Sequence, residues 1–455
     1  MAANSRPVEV IQLTHEPRGH QLFTTQVFSP DDRWIVFDNR PHDTMIGPTP
    51  TVGMVDVETG HLTQLYRTTN QTEHGPGVAA ASFSPVRNRV MFIHGLRNCD
   101  ANRPYAITRR TCVAVDLDKP GVPILLDARD VTVLYTRGAL RGGTHAHTWS
   151  ADGQWISFTY NDAVLHELEM NSGQQGLDTR TIGVMVPAGP VAVDEDPEGE
   201  NNDGQLFSVL VVKVVRHAEP GSDQIEKAFS DGWVGAQGYL KPDGSRQQRA
   251  IAFQGHVRDQ QGKLHSELYI VDLPGDTNAL TIPKPGTRLE GTPITRPAVP
   301  AGVVQRRLTY TLDRKFPGLQ GPRHWIRSTP DGSRLALLMK DDNGIAQIHT
   351  ASPNGGEPIQ LTRNPWSVQT PFSWRGDGRA ICYAADNSVF VTELDNAGRE
   401  TQTRRLTPRY DDATAPTPTG IVFSNDGNMI AFNRYVSTEG KLHSQIFLIR
   451  YLADN

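Results

Sequence analysis

A chain of 455 residues with a formal net charge of −5 and 37% hydrophobic residues can bury a sizeable core and carries no positive excess. That balance argues against nucleic acid or an anionic membrane as its partner. Gly 41 and Pro 32 mark a turn-rich, all-β chain rather than a helical one.

In chain order, Met1–Pro7 lacks the basic and apolar stretches of a secretory signal, so a cytoplasmic location is expected. The segment Val8–Thr14 is β-prone and ends in a Leu-Thr pair. Then a turn signature recurs seven times. It begins with Ser29-Pro30-Asp31-Asp32, Ser84-Pro85, Ser150-Ala151-Asp152-Gly153 and Lys241-Pro242-Asp243-Gly244. Thr329-Pro330-Asp331-Gly332, Arg375-Gly376-Asp377-Gly378 and Ser424-Asn425-Asp426-Gly427 complete it. Short β-prone segments flank most copies, such as Trp34–Phe37, Trp155–Phe158 and Met429–Phe432. Pro presets φ, Asp bonds back to its own backbone and Gly accepts positive φ, so each copy reads as a hairpin. A recurring hairpin predicts a radial array of small sheets, an all-β, seven-bladed β-propeller. Leu-Thr recurs at Leu308-Thr309, Leu361-Thr362 and Leu406-Thr407, where each blade's outer strand ends. Val8–Thr14 should therefore be the outer strand of the last blade, closing the ring.

One propeller is expected to span 1–455, with irregular insertions at about 187–235 and 275–303. The first holds an acidic run, Asp194–Asp203, read as a solvated excursion. It also holds Ser222–Ser230, read as a short helix behind a serine N-cap. The second contains Pro283–Pro300, a loop crossing between blades. Cys99, Cys112 and Cys382 have no Cys-x-x-Cys spacing, so neither a zinc ribbon nor a disulfide framework is indicated. The longest apolar run, Leu206–Val215, is broken by Lys213 and too short to span a bilayer.

In a four-stranded blade the turns between the first two strands lie on one face. Functional residues are then expected on the other, just before the innermost strand or just after the second. Before the innermost strand stand His20, His74, Arg141, His145, His147, Arg323, His324 and Gln369. After the second stand Arg40, Asn161, Asp162, His256, Asp342 and Asn343. Strand alternation would place His145 and His147 on one face, with His324 at matching depth two blades away. Converging imidazoles can hold a divalent metal, or supply a base and an electrostatic clamp. The plain alternative is polar channel lining that bonds only water and neighbouring strands. His166 and Glu167 would alternate along a third strand, Asp341–Gly344 is good turn sequence, and Arg306-Arg307 reads as a solvated pair.

Gly142–His147, Phe158–Leu168, Pro220–Ile225, Gly232–Gly235, Gln305–Thr309 and Pro322–Trp325 resemble the YidR-like family of uncharacterised bacterial proteins along nearly the whole chain. More distantly the chain is similar to TolB-type propellers and to the oligogalacturonate lyases. The lyase resemblance implies a manganese-type ion on His145, His147, His324 and Gln369. It implies β-elimination from a uronate, a chemistry that needs the carboxylate neutralised, by that metal or by Arg141 and Arg323. It also needs a base near the C5 proton, for which His74 or His20 is placed. His20, Arg40, Asn161, Asp162, Asp342 and Asn343 would contact the sugar. One departure is plain, because in the lyases the His-x-His pair closely follows the glutamine, and here it sits in an earlier blade.

The ligand implied is a small molecule or oligosaccharide. The rival reading is a non-catalytic TolB-like module that docks a protein or a sugar on the same rim. No Gly-x-Ser-x-Gly elbow, P-loop or dinucleotide fingerprint supports a peptidase or a nucleotide enzyme.

Overall fold

The computed structural model describes residues 8–451 and arranges them as seven antiparallel sheets around a central axis. Blade 3 shows the pattern: Gly142–Trp149 lies innermost, followed outward by Ile156–Asp162, Thr181–Val186 and Phe207–Leu210. Blade 7 runs Pro416–Phe423, Met429–Thr438, Lys441–Arg450, and then Glu9–Gln12 from the other end of the chain. Glu9 pairs with Arg450 and Gln12 with Phe447, as the sequence leads one to expect. Thr14 Oγ1 donates to Gln445 Oε1 at 2.6 Å, which locks the closing strand.

The hairpin turns owe their recurrence to one local hydrogen-bond device. Ser29, Ser150, Thr329 and Ser424 each donate a hydroxyl to the Asp two residues on, at 2.5, 2.6, 2.6 and 2.6 Å. Each hydroxyl then accepts the backbone N–H five residues on, from Trp34, Trp155, Arg334 and Met429. Gly153 and Gly427 carry φ +65° and +75°, which L-residues with a Cβ resist. The fourth copy differs: Lys241–Gly244 caps a small hairpin of Tyr239–Leu240 and Arg246–Gln247, set between the first two strands of blade 4.

Apolar faces of adjacent blades interleave. Ile182, Val184 and Val186 of blade 3 belong to one buried cluster with Ile251, Phe253 and Tyr269 of blade 4. Each such side chain contributes about 1.5–3 kcal/mol on burial. A second cluster, with Leu22, Phe23, Ala80, Ala146 and Trp325, brings together inner strands from several blades. Cys99, Cys112 and Cys382 are buried and free. Among the described residues no helix is long and apolar enough to cross a membrane.

Several expectations fail for identifiable reasons. Ser222–Lys227 is irregular, and Ala228–Trp233 is the inner strand of blade 4. The helix lies instead at Ala163–Ser172, where a turn and a third strand were expected, so His166 and Glu167 are exposed on a helix. Asp162 nucleates it by accepting from Leu165 N at 3.0 Å. The acidic run is not merely solvated: Glu200 pairs with Arg109 at 3.0 Å and with the buried Arg129 at 3.3 Å. Nor is Arg307 solvated, since it is buried with Glu267, which is fully buried, at 3.1 Å.

Candidate functional site

Three consecutive inner strands are bulged. Register slips between Ala79 and Ser82 in blade 2, His145 and Thr148 in blade 3, and Phe229 and Gly232 in blade 4. Ala80, Ala146 and Ser230 sit inside these bulges at φ +55°, +57° and +56°. A non-glycine residue there costs about 1–3 kcal/mol, and such bulges re-aim side chains beside functional sites. In blade 3 the bulge breaks the alternation that would have aimed His145 and His147 alike.

His145 lines a cavity of about 310 Å³ at the channel mouth, opposite Arg40, Asp43, Arg323, Trp325 and Phe23. The Thr159 hydroxyl gives its proton to the His145 carbonyl at 3.2 Å and so accepts from His145 Nδ1–H at 3.1 Å. That leaves Nε2 with a lone pair and no hydrogen-bond partner among the described residues. Burial, followed by Arg110, Arg180 and Arg323, pushes the His145 pKa well below the usual histidine value, so the ring stands neutral.

The other expected metal ligands point elsewhere. His147 is fully buried with Nε2 on Thr144 Oγ1 at 3.0 Å, and burial takes its pKa to about 3. The N–H of Leu338 donates to His324 Nε2 at 3.1 Å while His324 Nδ1 meets the Pro322 carbonyl at 2.9 Å, so both nitrogens are committed. The Gln369 amide is spent on Asn387, through bonds of 3.0 and 2.8 Å. These four side chains do not surround a common point, and among the described residues no three His, Cys, Asp or Glu groups converge as a metal set. The donors present do not fit the manganese-type ion that the lyase resemblance implies.

Arg141 and Asp162 form an internal clamp rather than a substrate contact. Arg141 is 1% exposed; Nε donates to Asp162 at 3.0 Å, Nη2 to the Thr295 carbonyl at 2.7 Å and Nη1 to the Thr292 carbonyl. The crossing loop is thereby strapped onto blade 3, with Arg296 adding a bond to the Leu177 carbonyl at 2.7 Å. Asn161 positions another arginine, accepting from Arg180 Nε at 3.1 Å. Arg40 lines the cavity but is gripped by Asp38 through bonds of 2.7 and 3.0 Å. His20 is buried against Phe37 with its pKa lowered to about 4, chiefly by burial. His74 sits beside Glu73 at 3.6 Å, off the cavity lining. Asp342 and Asn343 are exposed in a hairpin turn organised by the Asp341 carboxylate.

What the structure gathers is a cluster of cations. Arg110, Arg180 and Arg323 all bear on His145. Arg323 lies 4.5 Å over Trp325 and pairs with Asp43 at 3.2 Å. Arg110 holds the Tyr105 hydroxyl at 3.0 Å, and its Nε is buried without a partner. Arg110 and Arg180 form no ion pair among the described residues, and burial with the neighbouring guanidiniums lowers the Arg180 pKa to about 10. Crowded, weakly compensated guanidiniums gain by receiving an anion. Reading only the segments before the innermost strand and after the second missed Arg110, which begins the third strand of blade 2, and Arg180, which stands just before the third strand of blade 3. The same mouth receives that end of the connecting loop.

The fold and this mouth define a seven-bladed β-propeller whose channel entrance gathers arginines around His145. Among proteins of known sequence, an uncharacterised protein of Escherichia coli strain K12, YidR, is 38% identical over 422 residues, 92% of this chain and 94% of its own length. The chain belongs to the YidR family. Residues 77–200 also match a protein family of unknown function, DUF3748. An oligogalacturonate lyase solved with manganese superposes with a TM-score of 0.53 over 98% of this chain and 97% of its own, at 13% identity. A second such lyase, from Vibrio parahaemolyticus, gives 0.52 over 97% and 93% at 12% identity. At that identity the likeness is one of fold.

Proposed function

We propose that the channel mouth binds a carboxylated sugar of the uronate class and removes its C5 proton in a β-elimination. The observation carrying this reading is the neutral His145 at the cavity, its Nε2 without a partner among the described residues and under the influence of Arg110, Arg180 and Arg323. Guanidiniums neutralise the carboxylate and stabilise charge that develops on it as the α-carbon loses its proton. His145 Nε2 takes that proton, the C–H electrons form the C4–C5 double bond, the C4–O bond breaks, and the departing oxygen takes a proton from water at the open mouth. The bound carboxylate also raises the His145 pKa from its depressed value, which strengthens the base when substrate is present. The likeness of fold to oligogalacturonate lyases supports the substrate class.

A second reading, a binding module without chemistry, is favoured by the same depressed pKa, which makes His145 a weak base in the free protein. Incubation with oligogalacturonides, with and without chelator, decides between them. Rising ultraviolet absorbance of an unsaturated product, lost in His145→Gln, supports elimination. Binding without product leaves the module, and absence of binding ends both readings.

A further inference from the structure

The cationic mouth continues into blade 4. Lys227 stands directly before the inner strand Ala228–Trp233, its ammonium 5.3 Å from the centre of the Phe229 ring. His256, on the adjacent strand, meets that ring edge-on at 4.9 Å and 80°. A bond from His256 N to the Lys227 carbonyl at 2.9 Å fixes the two in register. Phe229 and His256 are only partly buried, and the His256 imidazole makes no hydrogen bond within the described chain. Lys227 forms no ion pair among the described residues. It is close enough to Arg180 and Arg323 that both, after burial itself, lower its pKa.

Three unlike groups thus lie side by side next to the arginines of the mouth: an ammonium with no counter-ion among the described residues, an aromatic ring open to solvent in part, and an imidazole whose nitrogens have no partner among them. A pyranose carrying a carboxylate uses all three, laying C–H groups on the ring and offering the carboxylate to the ammonium and a hydroxyl to the imidazole. We propose that Lys227, Phe229 and His256 form a second sugar subsite, for the uronate adjoining the one held by Arg110, Arg180 and Arg323. This rests on the uronate reading above and adds that the ligand is an oligomer. The ammonium resting over Phe229 moves onto the bound carboxylate.

Calorimetric titration of the full chain with galacturonate and with digalacturonate tests the assignment. The disaccharide should bind about 10-fold tighter or more, as one added charge-assisted contact implies. Lys227→Met and Phe229→Leu, the second keeping apolar bulk should Phe229→Ala fail to fold, should each cut the disaccharide affinity severalfold and leave the monosaccharide unchanged. Arg180→Met should weaken both sugars. Equal affinity of the wild-type chain for the two sugars overturns the subsite while the uronate reading stands. So does a subsite variant that weakens both alike. Failure of either sugar to bind overturns both.

Discussion

Arginine does opposite work where the crossing loop meets blade 3 and at the channel mouth. Under the crossing loop, Arg141 is saturated by one carboxylate and two carbonyls and stacks on Tyr135 at 4.9 Å. At the mouth, Arg180 has one amide oxygen, and Arg110 has a phenol and an unpartnered Nε. The first arrangement spends charge on holding a loop. The second keeps charge available at a cost in stability. Residue type and position relative to a strand do not separate the two roles, whereas the count of satisfied donors does.

Removing Arg141 should break this contrast hardest. Arg141→Met leaves Asp162 buried beside an apolar chain and should cost about 3–5 kcal/mol in urea unfolding. Arg180→Met should leave the unfolding midpoint unchanged or higher, because a desolvated cation is removed, while ligand affinity falls about 10- to 100-fold. A variant as unstable as Arg141→Met would move Arg180 into the structural class.

Acid separates the regions again. His147, His324 and His94 are held neutral with pKa values near 3, 4 and 4, each lowered mainly by burial from an unfolded value of 6.5. Below 6.5 the unfolded chain takes up protons that the native chain refuses. Stability should therefore be flat above that pH and fall between it and about 4, by up to roughly 1.4 kcal/mol per pH unit for each histidine. His147→Gln should flatten the slope measured by denaturation across that window. Bound uronate should favour protonation of none of these three, since none of them lines the cavity.

The smallest effect belongs to the turns. Asp152→Ala removes the acceptor of the Ser150 hydroxyl and the 2.6 Å pair with Arg249, and should cost about 1 kcal/mol in thermal unfolding without touching ligand binding.

Those turns also explain why so much of the fold is legible in the chain. The hydroxyl–Asp device lies within six residues, so copies at Ser29, Ser150, Thr329 and Ser424 announce themselves without tertiary knowledge. The closing strand was legible because its Leu-Thr ending repeats that of other blades. The helix at Ala163–Ser172 had a local signal, Asp162 ahead of an apolar Leu165, masked by the expectation of a strand. The site was less legible because it depends on αL geometry at Ala146, a residue with no local preference for it. His145 stands out in the sequence as a candidate, but its separation from His147 does not, since alternation is the only guide before a bulge is seen. Lys227 was hidden by reading Ser222–Ser230 as a helix on the strength of its N-cap.

The closing strand has a consequence for biosynthesis. Thr14 finds Gln445 across 431 positions of chain, and a ribosome delivers the N-terminal partner first. Until Lys441–Arg450 has been made, Glu9–Gln12 has no sheet to join, and the growing array of blades ends in an exposed, unclosed margin. The ring becomes topologically complete only once the hairpin of blade 7 has emerged, so until then its open margins can mispair with another copy.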